Sequence, residues 1–506
     1  MSELHDGQPV TLSSPDLLRA TRFLRLLQRL LELVLGTIVV GSVVAIGSVH
    51  PPAYIALWLA CLAAALVAAV RALAIGGLRQ RLGARTVALH VSGRWLVVEP
   101  REDDHALGWS IDLAGQARPR GPLAYPALAF LGFVLLQLFA FGRLSSIAPE
   151  ATQRGAAFVL AFLLLHQAAA AALAHRPARR RFRRLVALLG AGIALAALAQ
   201  LASGTRRVYG VFEPLEGGTP FGPFVNRNHF AGYMLLVVPI ALGLFADAWR
   251  AYARRLGTGP NARRRLVALA TREGTSVVYA ALPPLVAIAA LFSSTSRGGI
   301  LACAAALAIA GLALRSRRGT PGWAAAVVFA AVALTWFGLE RLEVRFLRTA
   351  DDAPGRTLVW RESLALMDGA RWATGYGLNA FADAFSRVPA WDLPRGATPW
   401  PEPVLAALRS GERLGYRAPD ELPGLDWYRE AHNDYVQLLV ETGVPGLLIG
   451  LWAGLAALAA ARRDPWLFAA LAGVLMHVCV DFDLQIPAIP ALFVVLAALP
   501  TARSPG

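Results

Sequence analysis

Apolar residues in this chain come in blocks closed by Arg, Pro or Gly. The blocks are close to the ~20 residues that a helix needs to cross the hydrocarbon of a bilayer. Taken in order they predict twelve spans: 31–49, 53–70, 124–142, 155–174, 185–203, 230–248, 277–292, 300–314, 323–339, 444–461, 466–482 and 487–500. The expected fold class is an all-α polytopic membrane protein. Two stretches break the pattern. Residues 76–121 alternate across Val87, Leu89 and Val91, turn at Ser92-Gly93 and resume at Trp95 and Val97, which predicts a small β-like insertion. Residues 340–443 form a long polar loop between the ninth and tenth spans, and a loop of that length is unusual without a function. The chain thus divides into 1–75 (N-terminus and spans 1–2), 76–121 (the insertion), 122–339 (spans 3–9), 340–443 (the loop) and 444–506 (spans 10–12 and the C-terminus).

Charge orients this arrangement. The 49 basic residues are all Arg, and most fall on alternate connecting segments, densest at Arg176–Arg184 and Arg263–Arg265. By the positive-inside rule these segments face the cytoplasm, so both termini are cytoplasmic and 340–443 lies outside, in the periplasm if the membrane is a bacterial inner one. Arg19, Arg22, Arg25 and Arg29 precede the first span with no small-residue cleavage site after it, which predicts an uncleaved first helix. The net charge of +16 is dealt out between spans rather than gathered on one basic surface, which argues against nucleic acid as a partner. Cys61, Cys303 and Cys479 all fall inside predicted spans, where they read as packing residues and not as a disulfide framework or a zinc site.

The same topology places three polar constellations on the external face. Asn226-Arg227-Asn228-His229 precedes the sixth span, where the amides of a helix N-terminus and a guanidinium suit a phosphate. Ser293-Ser294-Thr295-Ser296-Arg297-Gly298-Gly299 joins spans seven and eight, offering hydroxyls, one Arg, and glycines that admit close backbone approach. His432 opens a short helix with Asn433 and Asp434 at its N-terminus and Gly443 and Pro445 ending it, so an imidazole sits at the membrane boundary. Each has a plainer reading: Arg227 as an interfacial anchor, Arg297 as the structural partner of an acid such as Asp481, His432 as a surface histidine. Asp481-Phe482-Asp483 has the shape of a metal-binding carboxylate pair, but three residues at a span end are a weak signal. The spacing of His229 and His477 relative to His432 does not require a shared metal.

The string His432-Asn433-Asp434-Tyr435 through Gly443-Val444-Pro445-Gly446 resembles the signature of the O-antigen ligase superfamily: lipopolysaccharide O-antigen ligases, O-antigen polymerases and protein O-oligosaccharyltransferases. The segments Phe224–Tyr233 and Ser294–Gly299 are similar to two other recurring pieces, in the same order, and Gly375–Phe381 is similar to a turn in the family's external loop. The likeness covers roughly residues 205–490. It implies transfer of a glycan from undecaprenyl pyrophosphate to an acceptor hydroxyl, inverting and without metal or cofactor. His432 would be the catalytic base and Arg227 and Arg297 the pyrophosphate ligands, with Asn226, His229, Ser296, Asn433 and Asp481 supporting. The expected partners are the lipid-linked donor, lipid A-core or another glycan as acceptor, and membrane lipid. A ligase fits first; an O-antigen or exopolysaccharide polymerase and a protein O-oligosaccharyltransferase remain open within the class. The rival from another class is a small-anion transporter, which has no use for a long external loop.

Overall fold

The computed structural model describes residues 10–11, 15–82, 87–91, 94–98, 121–139, 146–213, 219–256, 263, 267–268, 270–315, 349–385 and 429–499. Among them the fold is helical and polytopic, as the apolar blocks predict. Its helices are α1 (Pro15–Val44), α2 (Pro51–Leu82), α3 (Ala124–Phe139), α4 (Pro149–Ala172), α5 (Arg176–Ser203), α6 (Arg227–Leu256), α7 (Arg272–Ser293) and α8 (Arg297–Arg315). They are followed by α9 (Thr349–Ala365), α10 (Arg371–Thr374), α11 (Phe381–Phe385), α12 (Asp434–Ala461), α13 (Pro465–His477) and α14 (Ala488–Ala497). Eight of these, α1, α2, α4, α5, α6, α7, α8 and α12, are long and apolar enough to cross a membrane. The predicted ninth span, 323–339, lies outside the described residues. The expected hairpin is present as antiparallel strands β2 (Val87–Val91) and β3 (Arg94–Val98), with β1 (Val10–Thr11) added parallel to β2; its turn residues Ser92 and Gly93 lie outside the description.

Three predicted spans are shorter helices. α3, α13 and α14 have 16, 13 and 10 residues, and at ~1.5 Å per residue the last two reach only about 20 and 15 Å, short of a ~30 Å hydrocarbon core. Hydropathy overestimates them because the turn after His477 and the residues before Ala488 are apolar as well. The long helices, conversely, outrun their apolar blocks: α5 begins at Arg176 and α6 ends beyond Arg255. Caps and prolines set those ends, and hydropathy does not report them; Thr271, Asn433 and Asp464 cap α7, α12 and α13 with their side chains.

Surface and core confirm the membrane setting. On α2, Leu59, Leu62, Leu66, Val70 and Leu73 all face outward at helical spacing, a stripe that water would not tolerate and lipid favours. α6 is the opposite case, with Phe230 through Leu242 buried on every side; it packs against α5, α7, α8 and α13. Arginines of the α5 cluster do more than orient the chain. Arg181 pairs with Glu32 at 2.8 Å, Arg183 pairs with Asp464, and Arg179 donates to the carbonyls of Leu173 and Ala174 at the end of α4. Cys61 and Cys303 are buried as expected, whereas Cys479 is exposed in the turn after α13.

The predicted stop at Gly443-Pro445 is a kink and not an end. α12 continues through it, but Gly443 takes φ 64°, ψ −171°, and Pro445 has no N–H for the carbonyl of Glu441. That carbonyl instead accepts from Gly377 N and Gln137 Nε2, both at 2.8 Å, and the carbonyl of Val440 accepts from Tyr376 N at 3.0 Å. A backbone defect in the tenth span is thereby filled by the Gly375–Phe381 turn of the long loop. Gly443→Ala should cost about 1–3 kcal/mol in strain alone, because Cβ would stand 2.7 Å from the Trp372 carbonyl oxygen at a positive φ. Thermal unfolding of the purified variant tests this; a stability within ~0.5 kcal/mol of the parent, the usual range for neutral surface changes, would show that the loop is not held by this kink.

Candidate functional site

Up-and-down alternation brings the starts of α6, α8, α12 and α14 and the end of α13 to one end of the bundle. They meet around the turn Val478–Phe482, which leads into a one-turn 3-10 helix, Asp483–Gln485. Small residues allow the approach. A Cβ on Gly232 of α6 would lie 2.2 Å from an Asp483 carboxylate oxygen, and one on Gly298 would lie 3.1 Å from the His477 ring. A Cβ on Gly299 would lie 2.5 Å from Ala231. Gly298 and Gly299, expected to admit a ligand, therefore serve close packing of α8 on α13 and α6.

His432 precedes α12 in a left-handed conformation, φ 51°. Asn433 follows as the helix cap, its Oδ1 accepting from Tyr435 N at 3.0 Å and Val436 N at 3.1 Å. Asp434 does not cap. Its buried carboxylate accepts from Leu484 N at 2.9 Å and Gln485 Nε2 at 3.1 Å, tying the start of α12 to the 3-10 turn. The Phe482 ring takes both His432 and His229 edge-on, with centroids 4.8 and 4.5 Å away. Burial pushes the His432 imidazole down to about 4; nearby Asp481 opposes this, while Arg356 and His229 add to it. His432 is thus neutral at pH 7.

Arg227 and Arg297, both half-buried, open α6 and α8, and the Ala231–Gly299 contact sets those first turns side by side. The amides around Arg227 are engaged within the protein: Arg227 N donates to Thr219 O, Asn228 N to Asn226 Oδ1 and His229 N to Asn226 O, at 2.9–3.1 Å. The expected ring of amides for a phosphate is therefore not available there. Ser296 Oγ likewise accepts from Gly299 N at 3.4 Å as a cap of α8.

Asp481, named in sequence as a partner for Arg297, faces His229 Nδ1 at 4.0 Å and Arg356 Nη2 at 3.8 Å. Arg356 also donates to the carbonyl of Val480, so α9 of the long loop is pinned to the same turn. Asp483 is fully buried and bridges two imidazoles, Oδ2 to His477 Nδ1 at 2.6 Å and Oδ1 to His229 Nδ1 at 3.3 Å. Burial alone would raise its carboxyl; His477 and His229 reverse that and hold it below the usual carboxylate range. Donor atoms of His229, Asp481 and Asp483 lie within 4.8 Å of one another, close enough to share a cation. Here they are turned on each other, and Asp481 Oδ1 also accepts from Phe482 N at 3.0 Å. His432 is not part of that cluster.

Sequence reasoning missed Arg356, Phe482 and the bridging role of Asp483. Nothing marks Arg356 among the loop's many arginines. In sequence Asp483 is only half of a weak metal-like carboxylate pair with Asp481; its pairing with two imidazoles depends on distant elements meeting.

Residues 284–400 match the family model described as O-antigen ligase. The match supports a likeness of that segment to the O-antigen ligase superfamily. No curated protein matches the chain significantly. The matched segment contains Arg297, Arg356 and the Gly375–Phe381 turn; Arg227 and His432 lie outside it and join it through the packing just described. Asp483→Asn should destabilise the bundle by about 3–5 kcal/mol, the usual consequence of breaking a buried, hydrogen-bonded ion pair. Unfolding of the purified protein reads this, and an unchanged midpoint would show that the two imidazoles do not depend on the carboxylate.

Proposed function

We propose that the chain transfers a glycan from a polyprenyl-pyrophosphate carrier to an acceptor hydroxyl at the external, periplasmic face of a bacterial inner membrane. One observation carries the reading: three helix starts, bearing Arg227, Arg297 and His432, close on the single turn Val478–Phe482 in a chain whose residues 284–400 match the O-antigen ligase family model. Neutral His432 takes the proton of the acceptor hydroxyl as its oxygen attacks the anomeric carbon. The bond from that carbon to the pyrophosphate oxygen breaks, and the electron pair leaves with the lipid pyrophosphate. Arg227 and Arg297 stabilise the growing negative charge, a role that guanidinium groups perform without a divalent ion. Attack opposite the leaving group inverts the anomeric centre, and no cofactor takes part. A saccharide acceptor of the lipid A-core type makes the chain a ligase; a second lipid-linked glycan makes it a polymerase.

His432→Ala should insert normally and lower transfer by ~10²–10⁴-fold, about 2.7–5.5 kcal/mol. Because the imidazole is held near 4, the wild-type rate should stay level from about pH 8 to 5 and fall only as His432 protonates below that. Transfer by the variant within twofold of wild type would remove His432 from the mechanism.

Arg227→Lys and Arg297→Lys should each slow turnover by ~10-fold or more, since Lys keeps charge but loses the planar fork for phosphate oxygens. The assay is transfer from a purified lipid-pyrophosphate oligosaccharide. Full activity in both Lys variants would reduce these arginines to packing or topology.

A further inference from the structure

His432 needs a reason to stay left-handed at the mouth of α12. The reason lies in its neighbour. Ala431 is fully buried, and both of its backbone groups are held: its carbonyl accepts from Trp360 Nε1 at 2.9 Å, and its N–H donates to Gln437 Oε1 at 3.1 Å. Gln437 lies one turn into α12, 1% exposed, and its amide is used on both sides. Nε2 donates to Glu430 Oε2 at 2.7 Å and to Glu441 Oε1 at 3.2 Å. Glu441, a further turn along the same face and 2% exposed, completes the line into the long loop. Its Oε2 accepts from Asn379 N at 2.8 Å and its Oε1 from Phe381 N at 3.3 Å.

The turn at the far end is itself fixed. Gln137 of α3 accepts from Leu378 N and donates to the carbonyl of Thr374, and the kink carbonyls of α12 take Tyr376 N and Gly377 N. A continuous buried chain of hydrogen bonds therefore runs from the Gly375–Phe381 turn through Glu441 and Gln437 to the peptide just before His432. Polar side chains at membrane depth are costly unless they are fully used, and these two are used at every atom that the geometry reaches.

We propose that Gln437 and Glu441 are positioning residues for His432, a relay through which the docked loop sets the backbone of the base. The proposal rests on the transfer reading above and deepens it. Neither residue touches substrate; they act through Ala431. An amide in place of the Glu441 carboxylate puts an NH₂ group against the N–H of Asn379, of Phe381 or of Gln437, and Gln437→Met removes all three of its side-chain hydrogen bonds, to Ala431, Glu430 and Glu441, while keeping length and volume. A displacement of about 1 Å at a reacting group can cost ~10²-fold in rate.

The experiment uses the purified full chain in lipid nanodiscs with a lipid-pyrophosphate oligosaccharide and a saccharide acceptor. Glu441→Gln, Gln437→Met and His432→Ala are compared for kcat, donor KM and the pH dependence of kcat. The relay predicts a 10–100-fold fall in kcat for the first two, with donor KM within about twofold. It also predicts an acid limb that moves up from about 4 toward the ordinary imidazole value of ~6.5, as water reaches a ring otherwise shaped by Asp481, Arg356 and His229. Wild-type kcat in either inserted variant overturns the proposal, and so does a lowered kcat with the acid limb unmoved, which is what a merely structural role gives. If His432→Ala itself turns over normally, it is the assignment of His432 that fails, a separate outcome.

Discussion

A proline in a membrane helix leaves one carbonyl without its donor, and hydrocarbon offers no water to replace it. In this chain the carbonyl is that of Glu441, and the loop supplies the missing N–H from Gly377. The placement of the long loop follows from that one constraint. With the turn docked, the Glu441 carboxylate can take the amides of Asn379 and Phe381, Gln437 is oriented by Glu441 and Glu430, and the residue before His432 is fixed. α9 is held to the same end by Arg356 and by Trp360. The break in α12 is therefore what turns a polar loop and a span into one structure.

The site divides its charge by purpose. A buried carboxylate, Asp483, draws two imidazoles inward and locks α6, α13 and the 3-10 turn together. The imidazole assigned to chemistry is kept out of that cluster, edge-on to Phe482 and low in proton affinity. A weakly basic imidazole is a poorer acceptor than an exposed one, but it is neutral over the whole physiological range and so always able to take a proton. In the proposed reaction positive charge comes from guanidinium groups, whose planar fork suits phosphate oxygens.

Much of this was legible in the residues. Blocks of apolar sequence gave the polytopic class and the described apolar helices, though not α9, α10 and α11 of the loop, and alternation at Val87–Val97 gave the hairpin, because both signals are periodic and local. Helix ends were less legible: α13 stops at His477 because of its turn, while the surrounding hydropathy runs on. Asn433 was readable as a cap, since capping depends on side-chain type and position alone; Asp434 looked equally suited, and only the proximity of Leu484 and Gln485 shows its different use. The free amides expected at Asn226–His229 illustrate the same limit, as an Asx turn and the carbonyl of Thr219 occupy them. Gln437 and Glu441 carried a signal that went unused: two polar residues four apart inside an apolar run.

The proposed reaction is a single displacement at the anomeric carbon by a hydroxyl that His432 deprotonates. The anomeric configuration of the product, read by NMR after transfer from a lipid-pyrophosphate glycan of defined configuration by the purified protein, tests it most directly. Inversion, with one polyprenyl pyrophosphate released per glycan transferred, is the predicted result. Retention of configuration would require a second displacement through a covalent intermediate, for which this arrangement of His432, Arg227 and Arg297 makes no provision, and would rule out His432 as the base of a single displacement.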